Sequence, residues 1–292
     1  MGTFRAASVL AGFFVLTVPL MPVQAVLLRV NRNAARRFPH WYHRQVCKLL
    51  GVTLSIEGKL APDQPVLLVC NHSSWLDIPV LSAVAPVSFV AKKEVGGWPF
   101  VSALARLQRT VFVDRKRRQA AGDAADEFMA RLAAGDTIVL FAEGTSSDGN
   151  RVLPFKTSLF GAVMPGKRSR ENRPAFVQTC AVVYTHRYGI ALGRADRAGV
   201  GWYGDMEMQS HAWALLMSGP LRVTIRIGQP VGLHEFSGRK DLAMTSERDV
   251  RRTVLEILRH HQGEEPLLPV EPTAENRKQA GGSRAASPEK WT

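Results

Sequence analysis

Val66-Leu67-Leu68-Val69-Cys70-Asn71-His72-Ser73-Ser74-Trp75-Leu76-Asp77 sets a continuous apolar run against an abrupt polar ending. Pro65 opens the run and its residues show no helical spacing, which predicts a short strand buried on both faces. Asn71, Ser73 and Ser74 are turn and N-cap residues, so the chain is expected to turn here and continue as a helix over 78–84, ending near Pro86. In α/β sheets, chemistry gathers at such carboxyl ends of strands.

Four residues separate His72 from Asp77. That spacing lets a side chain in the turn meet a carboxylate in the first turn of the helix. Two readings of the pair stand on this stretch alone. In one, Asp77 caps the helix and His72 is a surface histidine. In the other, His72 is a base, with an ordinary pKa of ~6.5, and Asp77 fixes its tautomer. Cys70 also carries two readings, a nucleophile two residues from His72 or a small hydrophobe finishing a strand.

Further strands follow at short intervals. Val87–Ala91 delivers Lys92 and Lys93 at its end, and Gly96-Gly97-Trp98-Pro99-Phe100 is a turn opening a helix. Thr110–Val113 ends in Asp114-Arg115, a helix is expected over 119–134 with Phe128, Met129 and Leu132 inward, and Thr137–Phe141 runs into Ala142-Glu143-Gly144-Thr145. Upstream, 54–58 alternates like an edge strand. Downstream, 174–184 and 221–228 are strands, and 242–261 is an amphipathic helix. Strands alternating with helices predict an α/β fold, a central mixed and mostly parallel sheet flanked by helices.

The ordered set of Asn71-His72 through Asp77, Lys92-Lys93-Glu94, Phe112-Val113-Asp114-Arg115 and Phe141-Ala142-Glu143-Gly144-Thr145 resembles the glycerolipid acyltransferase family. The resemblance covers roughly 51–231. It implies that His72 deprotonates an acceptor hydroxyl, that Asp77 orients it, and that Arg115, Glu143, Gly144 and Thr145 bind the acceptor. The hydroxyl then attacks the thioester of acyl carrier protein or coenzyme A directly, with no bound cofactor and no metal.

Three departures bear on the acceptor. Phosphate-recognising members read F-P-E-G-T-R in the third block, whereas this chain has Ala142 for the proline and Ser146 for the arginine. Arg109 stands where a glycine is expected, and Thr179 where a proline is. Losing the arginine removes a bidentate phosphate contact. With the aromatic and methionine-rich stretch from Trp202 to Trp213, the block looks more like bacterial lyso-ornithine lipid acyltransferases. Ser146, Asp148 or Glu143 would then meet the ornithine ammonium. Lysophosphatidic acid is the alternative acceptor, with Arg109 or Lys156 supplying the phosphate contact.

The chain has 292 residues and a formal net charge of +13, which calls for an anionic partner. No nucleic-acid reading motif is present. Residues 7–28 are apolar, interrupted by Pro19 and Pro22, and Arg29, Arg32, Arg36, Arg37, Arg44 and Lys48 follow. This pattern predicts a membrane anchor, kinked across the bilayer or returning from one leaflet, with the catalytic domain facing the cytoplasm at the inner membrane. A signal peptide cleaved near Val23-Gln24-Ala25 is the rival. His40-Trp41-Tyr42-His43 mixes aromatics with charges, as interfacial segments do. The expected organisation is an anchor and basic segment over 1–50, an acyltransferase domain over 51–261 and a disordered tail over 262–292. The expected partners are acyl carrier protein, membrane lipid and a lysolipid acceptor, with a lipid-binding protein lacking catalysis as the rival from another class.

Overall fold

A computed structural model describes residues 2–61, 64–113, 118–161 and 176–261. The expected tail, and Arg115 with it, lies outside the described residues.

Two long helices open the chain, α1 (Gly2–Val30) and α2 (Arg32–Leu50). The Asn31 side chain accepts from Ala34 N at 3.0 Å to start α2, and Gly51, at φ 73°, ends it in the left-handed conformation. Then follow β1 (Val52–Glu57), β2 (Val66–Cys70), α3 (Asp77–Val84), β3 (Val87–Lys92), α4 (Val101–Leu107), β4 (Val111–Val113), α5 (Arg118–Ala133) and β5 (Thr137–Phe141). The second half contributes β6 (Phe176–Arg187), β7 (Ile190–Ala191), α6 (Arg194–Ala198), α7 (Met208–Met217), β8 (Leu221–Ile227), β9 (Val231–Gly232) and α8 (Arg239–His261).

The strands form one mixed sheet in the order β1-β8-β6-β2-β5-β3-β4, with β7 and β9 added to β6. From β6 to β4 every neighbouring pair is parallel, and β8 is antiparallel to β6. β2 lies near the middle, and all five of its residues are buried. This explains an apolar run without alternation, because both faces of the strand are covered. Leu67 and Val69 pack with Phe128, Leu132, Val250, Val254 and Ile257 from α5 and α8. Val66, Leu68 and Cys70 face the opposite layer, with Cys47, Val80, Leu81 and Leu215 from α2, α3 and α7.

α1 departs from the expected interruption, since it runs unbroken through Pro19 and Pro22. Each proline forfeits a backbone hydrogen bond, and packing against α2 holds the helix together across the gap. Near its start, Arg5 donates to Leu50 O at 2.8 Å and to Leu216 O. Further along, Thr17 and Tyr42 share a hydrogen bond of 2.7 Å, and Gln24 donates to Ala35 O and Leu107 O, each at 2.9 Å. The helix rises about 1.5 Å per residue, so Arg5 and Gln24 lie roughly 28 Å apart along it, and both are tied to the same body. The outward face is apolar and exposed at Phe4, Phe14, Val15, Val18, Val26 and Val30.

The segment expected to be interfacial is mostly spent inside the protein. His40 donates to Ser82 O at 2.8 Å, His43 meets Ser82 Oγ at 2.9 Å, and burial pulls the His43 pKa down to about 4. Trp41 is the member of the four left exposed.

Candidate active site

The carboxyl end of β2 is stitched to its neighbours by side chains. In the register, Cys70 sits between Phe141 of β5 and Cys180 of β6. One residue later Asn71 replaces a backbone rung with its amide, donating to Val182 O at 2.9 Å and accepting from Val182 N at 2.8 Å. The loop from His72 to Ser74 then has a partner for every backbone polar group. His72 N donates to Glu143 Oε1 at 2.8 Å, and His72 O accepts from Ser147 N at 2.9 Å. Ser73 N and Ser74 N donate to Asp77 Oδ2 at 2.8 and 3.0 Å. Ser73 O accepts from Trp202 N at 2.8 Å, and Ser74 O from Asp77 N at 3.0 Å. A loop satisfied in this way has little freedom to move.

His72 and Asp77 meet. His72 Nδ1 lies 2.8 Å from Asp77 Oδ2, and Asp77 is fully buried in the first turn of α3. The other oxygen, Oδ1, accepts from the Tyr184 hydroxyl at 2.7 Å. Three donors besides the imidazole, Ser73 N, Ser74 N and the Tyr184 hydroxyl, already point at this carboxylate, so it is the acceptor of the fourth bond and Nδ1 the donor. That leaves Nε2 with a lone pair for an incoming group. The ring lies flat on Phe141, with centroids 4.1 Å apart and planes at 17°, while its edge reaches the surface. The geometry serves a general base whose tautomer is held by a carboxylate.

The other expected residues fall differently. Glu143 was expected to touch the acceptor, but it is buried and both its oxygens are occupied, Oε1 by His72 N and Oε2 by Leu153 N at 2.8 Å. It is a prop beneath the histidine. Burial pushes its pKa up to about 7, against the pull of those two amides. Gly144 adopts φ 70°, and its N–H donates to Phe141 O at 3.1 Å. The turn therefore needs glycine, and this amide is not open to a ligand. Thr145 is exposed at the tip. Ser146 Oγ donates to Trp202 O, so its hydroxyl is tied to the 202 loop. Asp148 accepts from its own neighbour, Asn150 N, at 3.0 Å.

Cys70 is buried, and its thiol is pushed well above the ordinary range by burial, which leaves it a small apolar side chain. Arg109 has φ 63°, a left-handed conformation that accounts for a glycine in the related pattern. Its guanidinium turns to Asp136 at the far end of β5.

Sequence reasoning missed Tyr184 and Ser147, and read Asn71 as a turn residue without its pairing to Val182. Tyr184 carried a signal, because a tyrosine inside a buried strand needs a partner for its hydroxyl. Which partner, 107 residues away, only the fold reveals.

Residues 51–183 match a family model described as Acyltransferase. The lyso-ornithine lipid O-acyltransferase of Brucella abortus is 46% identical over 250 residues, covering 86% of this chain and 94% of that protein. This chain belongs to the acyltransferase family. The lyso-ornithine lipid O-acyltransferase of Rhizobium meliloti is 40% identical over 240 residues, covering 82% of each chain. In fold, the enzyme is similar to the crystal structure of the 1-acyl-sn-glycerophosphate acyltransferase from Thermotoga maritima. The TM-score is 0.61 at 22% identity, covering 88% of this chain and 94% of that one. The acyltransferase therefore needs an acyl donor and an acceptor, and its apolar outward helix face associates it with a membrane.

Proposed function

We propose that the enzyme moves a fatty acyl chain from acyl carrier protein to the hydroxyl of lyso-ornithine lipid, giving ornithine lipid. The observation that carries this is the His72–Asp77 pair at the carboxyl end of the central strand, with Nδ1 engaged and Nε2 without a hydrogen-bond partner among the described residues. Nε2 takes the proton of the acceptor hydroxyl as its oxygen attacks the thioester carbonyl. The tetrahedral intermediate collapses, the C–S bond breaks, and the thiolate leaves with the proton held on the imidazolium. The positive charge stays on the ring, and the Asp77 carboxylate stabilises it during the exchange.

Thr145 and Ser146 form the rim on which the acceptor rests, and Arg115 is a further acceptor-binding residue by its place in the family pattern. The acceptor assignment is supported by Ser146 in place of an arginine, and by the names of relatives that match over most of their length. Residues 1–50 act as the anchor and 51–261 as the catalytic body. Because both ends of α1 are tied to that body, the helix lies along one leaflet with its exposed face in lipid. The soluble acidic donor and the basic residues after α1 support the cytoplasmic face of the inner membrane.

The test uses membranes containing the enzyme, labelled acyl carrier protein thioester, and either lyso-ornithine lipid or lysophosphatidic acid. Transfer to lyso-ornithine lipid alone is expected. Transfer to lysophosphatidic acid alone contradicts the acceptor assignment and leaves Lys156 to supply the phosphate contact, since Arg109 is held on Asp136 at the other end of β5. Acyl-coenzyme A in place of the carrier thioester tests the donor in the same assay.

A further inference from the structure

We propose that the tip of the β6–β7 hairpin, Tyr188 and Ile190, is a second point of insertion into the anionic membrane surface, separate along the chain from α1. The proposal rests on the membrane association of α1 and extends it to a part of the fold that the family pattern does not mark.

Tyr188 is 64% exposed and Ile190 is 74% exposed, although one is aromatic and the other branched aliphatic. The tip is also held in shape. Tyr188 adopts φ 51°, an uncommon conformation for a bulky residue, and its N–H donates to Pro220 O at 3.2 Å. Its ring lies over Gly219, where an added Cβ would come within 2.2 Å of the ring. A fold that strains its backbone to present an aromatic ring to the outside has a use for the ring there.

The tip is continuous with the apolar face of α1. Ser218, Gly219 and Pro220 follow α7, whose last residue Met217 packs against Gly2 and contacts Thr3. Phe4, one residue on, is 80% exposed. Charge points to the same occupant. No Asp or Glu occurs before Glu57, none over 184–195, and none over 208–220, while Arg5, His186, Arg187 and Arg194 lie in these stretches. Asp196 and Glu207 stand just beyond these stretches, and apolar side chains among a majority of cations suit an anionic lipid interface. The hairpin extends β6 beyond the level of His72, so lipid contact there would turn the mouth of the site toward the bilayer.

The experiment uses the full-length enzyme, whose three native cysteines are all buried, so an added cysteine takes a thiol-reactive, environment-sensitive fluorophore selectively. Ile190→Cys is the test position. Val15→Cys, 75% exposed on α1, reports the anchor, and Met244→Cys, 72% exposed on α8 across the sheet, reports a non-membrane surface. With vesicles containing phosphatidylglycerol, labels at 190 and 15 are expected to shift to the blue and to be quenched by brominated acyl chains, and the label at 244 to do neither. In parallel, the double variant Tyr188→Asp/Ile190→Asp should lower vesicle partitioning by roughly tenfold, with activity on detergent-dispersed substrate unchanged. A response at 15 but not at 190 overturns the proposal and leaves the anchor standing. Silence at both positions overturns the anchor as well. A response at 190 that follows protein concentration without vesicles assigns the tip to a second copy of the chain and also overturns it.

Discussion

β5 begins and ends beside a buried acid, and the two ends of this strand behave in opposite ways. At its start, Asp136 is surrounded by Arg36 at 2.9 Å, Arg131 at 3.1 Å and Arg109. Arg131 also donates to Ser88 Oγ and Arg109 O. At the far end, Glu143 props His72, and Asp77 collects four donors. The first cluster has more charge, but its ions close on one another. The second leaves one ring nitrogen without a protein partner among those donors and acceptors. A reactive site is marked by unspent valence held in place, and density of charge is a poor guide to it.

This contrast predicts that damage at the two ends will be felt in different currencies. Asp77→Asn keeps the shape of the loop but offers the wrong partner to Nδ1, and kcat should fall by ~10³-fold with the protein still folded. Steady-state kinetics beside a thermal melt checks it, and near-normal kcat would break the comparison. Asp136→Asn should do the reverse. Three arginines would lose their counter-charge, costing about 3 kcal/mol in denaturant unfolding, while kcat per folded molecule holds. A loss of kcat with unchanged stability would mean that the arginine cluster serves catalysis.

Glu143 provides a pH test of the same end. Its pKa is raised from 4.5 to about 7 in the fold, so the folded protein binds this proton more tightly than the unfolded chain does. Its contribution to stability is full below pH 4.5 and is lost as pH rises through 7, by up to about 3 kcal/mol. Unfolding free energies of Glu143→Gln across pH 5 to 8 should lack this decline relative to the parent; parallel curves would contradict it. The smallest effect is expected from Tyr184→Phe, which removes one donor from Asp77. A several-fold fall in kcat at constant KM is expected. A change in melting temperature with no fall in kcat would make Tyr184 a packing residue only.

The succession of the longer strands along the chain was legible because each is a short apolar run with its own punctuation, though their order in the sheet was not, and the His72–Asp77 contact was legible because it is local. The parts that escaped are those where two distant segments meet. Nothing in Glu143-Gly144-Thr145 says that the carboxylate turns inward to amides at His72 and Leu153. The apolar character of α1 gave its length but not its neighbours, since a helix face packed on protein and one packed on lipid have the same hydropathy. Two prolines argued for a break that packing along α2 prevents. Arg109 was recognised as a departure from glycine, but its positive φ and its bond to Asp136 needed the backbone to be seen.

The most direct test of the central claim is acyl transfer by purified His72→Ala, measured with its thermal melt against the parent. The pinned loop predicts an intact fold and a loss of kcat of at least ~10³-fold. Retained transfer by a folded His72→Ala protein would show that the open ring nitrogen is not the base.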